Sequence, residues 1–192
     1  MENLFEKEVL VVNQKFTVLN NEYQILAEDG SEIGFVKENT SVLYTVLKLF
    51  LSNKMLPWSM QILDSQKNVL VTLSKGLTFW MPKISITNSQ GVEIATIKRK
   101  FGLKPKFEVL NTTGNVVASV IGDFIAWDFV VYDAQDKEIG KISKKFGGVL
   151  KELFTDSDKY MVNINNSLSD KTLRAAVIAA SCVIDKVLKE RD

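Results

Sequence analysis

The chain has 192 residues, 46% hydrophobic and 24% charged, the proportions of one globular domain with a sizeable core. Its 24 basic and 23 acidic side chains leave a net charge of +1, so no global field draws in nucleic acid or a membrane, and electrostatic binding has to come from a local patch. The absence of histidine and the single cysteine, Cys182, exclude imidazole triads, His- or thiolate-ligated zinc and an internal disulfide, and fit a reducing compartment.

No Gly-rich phosphate loop of either common spacing is present. An enzyme built from this chain would need carboxylates, lysines or a borrowed cofactor, and the expectation is a protein without catalytic activity. The N-terminus, MENLFEKEVLVV, has acids before its apolar run and no small-residue cleavage site, so it does not read as a signal peptide. Val9 to Val12, or Phe16 to Leu19, supplies a first strand.

A weak internal repeat follows. Five segments share a run with alternate apolar residues, a polar turn and a second such run: YQILAEDGSEIGFVKEN from Tyr23, MQILDSQKNVLVTLSKG from Met60, ISITNSQGVEIATIKRKFG from Ile84, FEVLNTTGNVVASVIGDF from Phe107 and FVVYDAQDKEIGKISKKFG from Phe129. Each predicts a β-hairpin. The turns hold Asp29-Gly30, Ser65 to Asn68, Gln90-Gly91, Thr113-Gly114 and Asp133 to Asp136, residue types that supply the positive-φ positions of tight turns. Ile25, Ile62, Ile86, Val109 and Val131 occupy the equivalent third position, on one shared face. Residues 40–58, TSVLYTVLKLFLSNKMLPW, break the rhythm and fit a helical stripe ended by Pro57 or a strand equally well.

YMVNI, 160–164, is a further strand, which brings the total to about twelve antiparallel strands over residues 9–165. A sheet that long curls shut or exposes edges, and a closed barrel is the economical solution. A barrel of about twelve strands is too wide for its own side chains to fill, so something has to occupy the lumen.

The stretch AAVIAASCVI, 175–184, supplies the filler. Ser169 or Asp170 can cap a helix there, and Lys186, Lys189 and Arg191 suit its C-terminal dipole. Leu173 to Leu188 is sixteen residues with Arg174, Ser181, Asp185 and Lys186 among them, short of the about twenty apolar residues of a spanning helix. A helix apolar all round but too short to span belongs inside protein. The expected central helix covers about 170–189, with Val177, Ile178, Cys182 and Ile184 buried and Cys182 a small hydrophobe.

Residues 138–188 carry a family resemblance. Ile139-Gly140-Lys141-Ile142, Lys144-Lys145, the run Glu152 to Asp158 and the final helix ending in Ile184-Asp185 together resemble the C-terminal half of phospholipid scramblases, of the tubby C-terminal-like superfamily. The resemblance implies a single scramblase-like domain over residues 1–192, mainly β, with a twelve-stranded closed antiparallel barrel around a hydrophobic C-terminal helix. The family's final helix has also been read as membrane-spanning, against which length and internal charge argue here. The family's cysteine cluster and Pro-rich N-terminal region have no counterpart, so thioester lipid anchoring is not expected.

The resemblance also points to a twelve-residue Ca²⁺ loop starting at Asp156 and Asp158. Lys159 inside it and Ser167 at its closing position leave a poor donor set for a cation that wants six or more oxygens, and a simple turn accounts for the same residues. No other cofactor is implied. Phosphoinositide binding by a cationic patch, as the superfamily implies, makes Lys98, Arg99, Lys100, Lys104 and Lys106 the headgroup candidates, with Lys141, Lys144 and Lys145 of a second cluster that also holds Lys137. A solvated rim that keeps strand ends apart explains the same lysines. Trp58, Trp80 and Trp127 read as core or barrel-mouth residues, and Asp123 and Asp128 as turn or strand-end residues. Three functions remain open: a cytoplasmic, non-enzymatic module associated with anionic phospholipid at the inner membrane face; a protein-interaction scaffold using an exposed strand edge or residues 41–56; and a barrel holding a small apolar ligand. Nothing supports nucleic-acid binding.

Overall fold

A computed structural model describes residues 4–16, 21–39, 47–100, 105–145 and 159–189. Twelve strands, β1 (Val9–Phe16), β2 (Asn21–Leu26), β3 (Glu32–Asn39), β4 (Trp58–Asp64), β5 (Val69–Lys75), β6 (Lys83–Asn88), β7 (Glu93–Lys100), β8 (Lys106–Leu110), β9 (Val116–Asp123), β10 (Asp128–Asp133), β11 (Glu138–Ser143) and β12 (Lys159–Ile164), are followed by one helix, α1 (Lys171–Lys189). Every strand pairs antiparallel with its neighbour in sequence, and β1 closes the ring onto β12. The closed antiparallel barrel of about twelve strands that the hairpin pattern predicts is the observed fold.

The repeat is structural as well as sequential. In all five hairpins the residue that ends or directly follows the first strand donates its amide to the carbonyl four positions on, as in Asp64 N to Asn68 O (3.0 Å) and Asn88 N to Val92 O (2.9 Å). In four of them the first residue is Asp64, Asn88, Asn111 or Asp133, whose Oδ1 accepts from two amides of its own turn. The fourth position is left-handed, filled by Gly91 and Gly114 in two hairpins and by Lys67 and Asp136 in two others. A register shift follows Ile25, Ile62, Ile86, Val109 and Val131, the same repeat position in each hairpin. Such bulges increase local twist, and their repetition helps curl the sheet shut.

Those five third-position residues all point into the lumen and are fully buried. α1 runs through the middle of them. Asp170 caps it, accepting from Thr172 N (2.8 Å) and Leu173 N (3.2 Å). Val177, Ile178, Cys182 and Ile184 are buried, and each large apolar side chain among them contributes about 1.5–3 kcal/mol on burial. Ala175, Ala176, Ala179 and Ala180 are buried too, which lets the helix fit a confined space.

Three polar devices hold α1 in register. Tyr23 on β2 donates to Asp185, Lys186 pairs with Glu38 on β3, and Arg174 donates to the carbonyls of Phe5, Lys7, Asn165 and Leu168. The first two sit where β2 begins and β3 ends, so α1 points its C-terminus away from the five hairpin turns. The Arg174 cluster ties the N-terminal 3-10 turn Leu4–Glu6 over the opposite end. No helix among the described residues is long and apolar enough to cross a membrane.

Before β4, residues 47–57 form turns and the 3-10 helix Asn53–Met55, with Leu51 N bonded to Leu47 O (2.9 Å) in helical fashion. That excludes over 47–57 both the strand alternative and a helix continuing to Pro57; residues 40–46 lie outside the described residues.

Candidate functional site

The two ends of the barrel differ. One carries the five near-identical hairpin turns. The other carries the connections β3–β4, β5–β6, β7–β8, β9–β10 and β11–β12, which differ from one another in length and composition. Function concentrates in connections of that kind, held by a rigid scaffold.

The cationic candidates collect toward this long-connection end. Side chains alternate along a strand, so Ala95 and Ile97 facing the core put Lys98 and Lys100 on the outer surface of β7. Lys98 stands opposite Glu108 and Lys100 opposite Lys106 across β7 and β8. Lys83 on β6 stands opposite Lys98, a member of the patch that residue runs alone do not reveal. Glu108 answers this charge, 3.3 Å from Lys100 Nζ and 3.6 Å from Lys106 Nζ.

Arg99 takes the other direction. The same alternation turns it inward, and its guanidinium lies over the Phe124 ring at 5.8 Å. Phe124 in turn meets Phe107 and Phe129 edge-on at the mouth of the lumen. Arg99 is therefore a mouth-closing residue rather than one of the outer row.

The second cluster lies on and just after β11. Lys141 and Lys145 both pair with Asp128, at 3.1 and 3.3 Å. Burial opposes ionisation of Asp128 most strongly, but the hydrogen bonds and charge of the two lysines together outweigh it and hold the carboxyl below its ordinary value. Lys144 lies over the Trp127 ring at 5.2 Å, and Trp127 packs on Phe129 and Tyr160. Lys104 and the Ca²⁺-loop residues Asp156 and Asp158 lie outside the described residues. Among the described residues no three acidic or Cys side chains gather to hold a metal.

Exposed ion pairs contribute about 0–1 kcal/mol, and a cation close to an anionic membrane about 1 kcal/mol. An external anion can therefore compete with Glu108 and Asp128 for these lysines.

Other sequence readings resolve plainly. Asp123 accepts from Ile125 N (2.6 Å) and Ala126 N (3.1 Å) in the β9–β10 turn, and Asp128 faces it across the strand pair in its ion-paired role. Cys182 Sγ lies 3.9 Å from the Tyr160 hydroxyl, and burial pushes its thiol up to about 12, so it is no nucleophile at neutral pH. Of the core or barrel-mouth alternatives, Trp58 takes the core and is buried, Trp127 is half-buried, and Trp80 stands 85% exposed in the β5–β6 connection at the barrel end. It belongs to a set the sequence pattern did not single out: Leu77, Phe79, Trp80 and Met81 in the β5–β6 connection, Leu49 and Phe50 before β4, and Ile125 in the β9–β10 turn are all exposed. The run LTFWM between Gly76 and Pro82 was the available signal, an apolar cluster in a segment bounded by chain breakers.

At the hairpin end, a cleft of about 400 Å³ runs between α1 and the wall, lined by Ile94, Val109, Val117, Leu168, Leu173 and Ala176 among others.

Comparison with known proteins agrees with this architecture. The family described as Scramblase matches residues 1–191. The chain is 27% identical to Phospholipid scramblase 2 of Bos taurus, covering 96% of this chain and 69% of that protein. Phospholipid scramblase family member 5 of Homo sapiens is 24% identical, with 96% of this chain and 75% of that protein covered. A phospholipid scramblase family protein of Schizosaccharomyces pombe is 21% identical, and the chain covers 56% of its length. A solved Arabidopsis thaliana protein shares the fold at a TM-score of 0.57 and 14% identity, covering 94% of each chain. On the match over residues 1–191, the chain belongs to the scramblase family.

Proposed function

We propose that this protein is a non-enzymatic, peripheral phospholipid-associated module that docks on anionic membrane faces, such as the inner leaflet, through the long-connection end of its barrel. Family membership supports a scramblase-like, phospholipid-related role. The observation that carries the finer reading is the gathering of Lys83, Lys98, Lys100, Lys106, Lys141, Lys144 and Lys145 toward one end of a chain whose net charge is only +1. The buried α1 argues for docking of the intact barrel rather than anchoring by its helix.

Co-sedimentation with vesicles tests this. Wild-type protein is expected to bind phosphatidylserine or phosphoinositide vesicles and not neutral ones, with binding that weakens as salt rises. Lys98→Glu/Lys100→Glu should weaken it by about tenfold or more, since each reversal replaces about 1 kcal/mol of attraction with repulsion. Equal binding of wild type and variant, or none by either, overturns the reading.

The cleft at the hairpin end favours a second reading, a site for a small apolar ligand beside α1. Its volume lies within the range of small-molecule pockets. Ala176→Phe would fill it and abolish binding of a fluorescent fatty-acid probe, if that reading holds. The scaffold reading loses its exposed strand edge, because the ring is closed.

A further inference from the structure

We infer that the long-connection end is a membrane-insertion face: Phe50, Phe79, Trp80 and Ile125 enter the interfacial layer of an anionic bilayer while the lysines around them meet the headgroups. This rests on the peripheral-lipid reading and adds two things to it, a fixed orientation of the barrel and a component of binding that salt does not remove.

The distribution of exposed apolar side chains carries the inference. Nine large hydrophobic side chains are exposed among the described residues, and seven stand in three connections at this one end. Only Val92 and Val116, beside hairpin turns, stand at the other. Scattered surface hydrophobics are ordinary, but a cluster at one pole marks an interaction site. Ile125 is 98% exposed and Phe79 70%, whereas Leu56 in the β3–β4 connection and Trp58 at the start of β4 are buried. These connections thus sort apolar residues into a set that anchors and a set that projects.

The projecting set is braced. Thr78 N bonds Met55 O at 3.2 Å and Lys75 Nζ bonds Lys54 O at 2.9 Å, which couple the β5–β6 connection to the segment before β4. Thr78 Oγ1 also bonds Met81 O (3.3 Å). Side chains presented on a tied frame lose little freedom on docking.

The surroundings identify the occupant. Lys83 closes the β5–β6 connection and heads the outer row that continues through Lys98, Lys100 and Lys106. Aromatic tips ringed by cations match a surface that is apolar below and anionic above, and Trp and Phe suit that boundary. A second copy of the chain fits badly, because end-to-end pairing would bring two cationic rims together.

The test uses the full chain with phosphatidylserine vesicles, with and without brominated acyl chains, at low and high salt. Trp80 emission is isolated by comparison with Trp80→Phe. The expected result is a blue shift and quenching by bromine on the acyl chains, a residue of binding at high salt, and a loss of about tenfold or more in that residue for Phe79→Ser/Trp80→Ser. Those side chains are exposed, so the variant should keep the wild-type circular dichroism. Salt-sensitive binding with no quenching, unchanged by Phe79→Ser/Trp80→Ser but lost in Lys98→Glu/Lys100→Glu, overturns insertion and leaves the peripheral reading standing. No binding to any vesicle overturns both. A dimer in solution that Phe79→Ser/Trp80→Ser dissociates, without quenching, assigns the face to a second copy and also overturns the inference.

Discussion

Tyr23 on β2 donates its hydroxyl to Asp185 Oδ2 of α1 at 3.0 Å, joining barrel wall and central helix across 162 positions of sequence. Both residues are buried, so the bond fixes the rotation and depth of the helix where apolar contacts alone would tolerate a slip. Tyr23→Phe removes the donor while keeping the ring. It should lower stability by about 1–3 kcal/mol, the cost of depriving a buried acceptor. Urea unfolding of Tyr23→Phe, Asp185→Asn and the double variant would show a coupling of at least about 0.5 kcal/mol; strict additivity would mean the bond does no work.

The lumen also sets a response to alkali. Burial pushes the Cys182 thiol up to about 12, and burial with the nearby Asp185 charge raises Tyr23 as well. Burial raises Tyr160 too. These groups ionise at their ordinary values once unfolded but stay neutral when folded. The unfolded chain then holds fewer protons, so stability falls as pH rises. The fall begins near pH ~9 and steepens toward ~12, at up to about 1.4 kcal/mol per pH unit for each group. Cys182→Ala should flatten the first part of that fall. Unfolding midpoints that stay level from pH ~8 to ~11 would contradict the burial of these groups.

Arg174 is the pin of the hairpin end. Its Nε donates to Phe5 O at 2.5 Å, and its two terminal nitrogens reach Lys7, Asn165 and Leu168 carbonyls. Arg174→Met keeps much of the stem packing and removes the donors that hold the Phe5, Lys7, Asn165 and Leu168 carbonyls together. The expected outcome is faster hydrogen exchange and earlier proteolysis within residues 4–8, with β4 to β9 unaffected. Equal protection of that segment in variant and wild type would sink the assignment.

How far the sequence reveals this molecule depends on the range of the interaction. Alternation and Asx turns are local, so the five hairpins and Ile25, Ile62, Ile86, Val109 and Val131 are legible in it. The helix is legible because its length forbids a span and the barrel needs a filler. The site is less so. Whether Arg99 turns inward or joins Lys98 outside depends on strand register, which a charge run does not state. The pairing of Asp128 with Lys145 links residues seventeen positions apart that only the folded sheet brings together. Phe79 and Trp80 are the least legible, because an apolar run does not say whether it packs inward or projects from the barrel end.

The small residues of α1 define how much room the barrel leaves. Ala179 and Ala180 are fully buried between strands on all sides. Ala179→Leu should destabilise by about 1–3 kcal/mol through overpacking, in contrast to the usual small effect of Ala→Leu on an exposed helix face. Thermal unfolding would read this directly; an unchanged or higher midpoint would mean the lumen holds space that the buried helix does not show.

The most direct test is hydrogen exchange of the full chain with and without phosphatidylserine vesicles, resolved by peptide. Docking of an intact barrel by its long-connection end should give new protection in 47–57, 76–82, 98–100 and 124–127. The turns at 27–31, 64–68, 88–92, 111–115 and 133–137 should stay unchanged, and the strands and α1 should keep the protection they have in solution. New protection at those turns would reverse the orientation, and loss of protection along the strands on adding vesicles would mean that α1 leaves the barrel for the membrane.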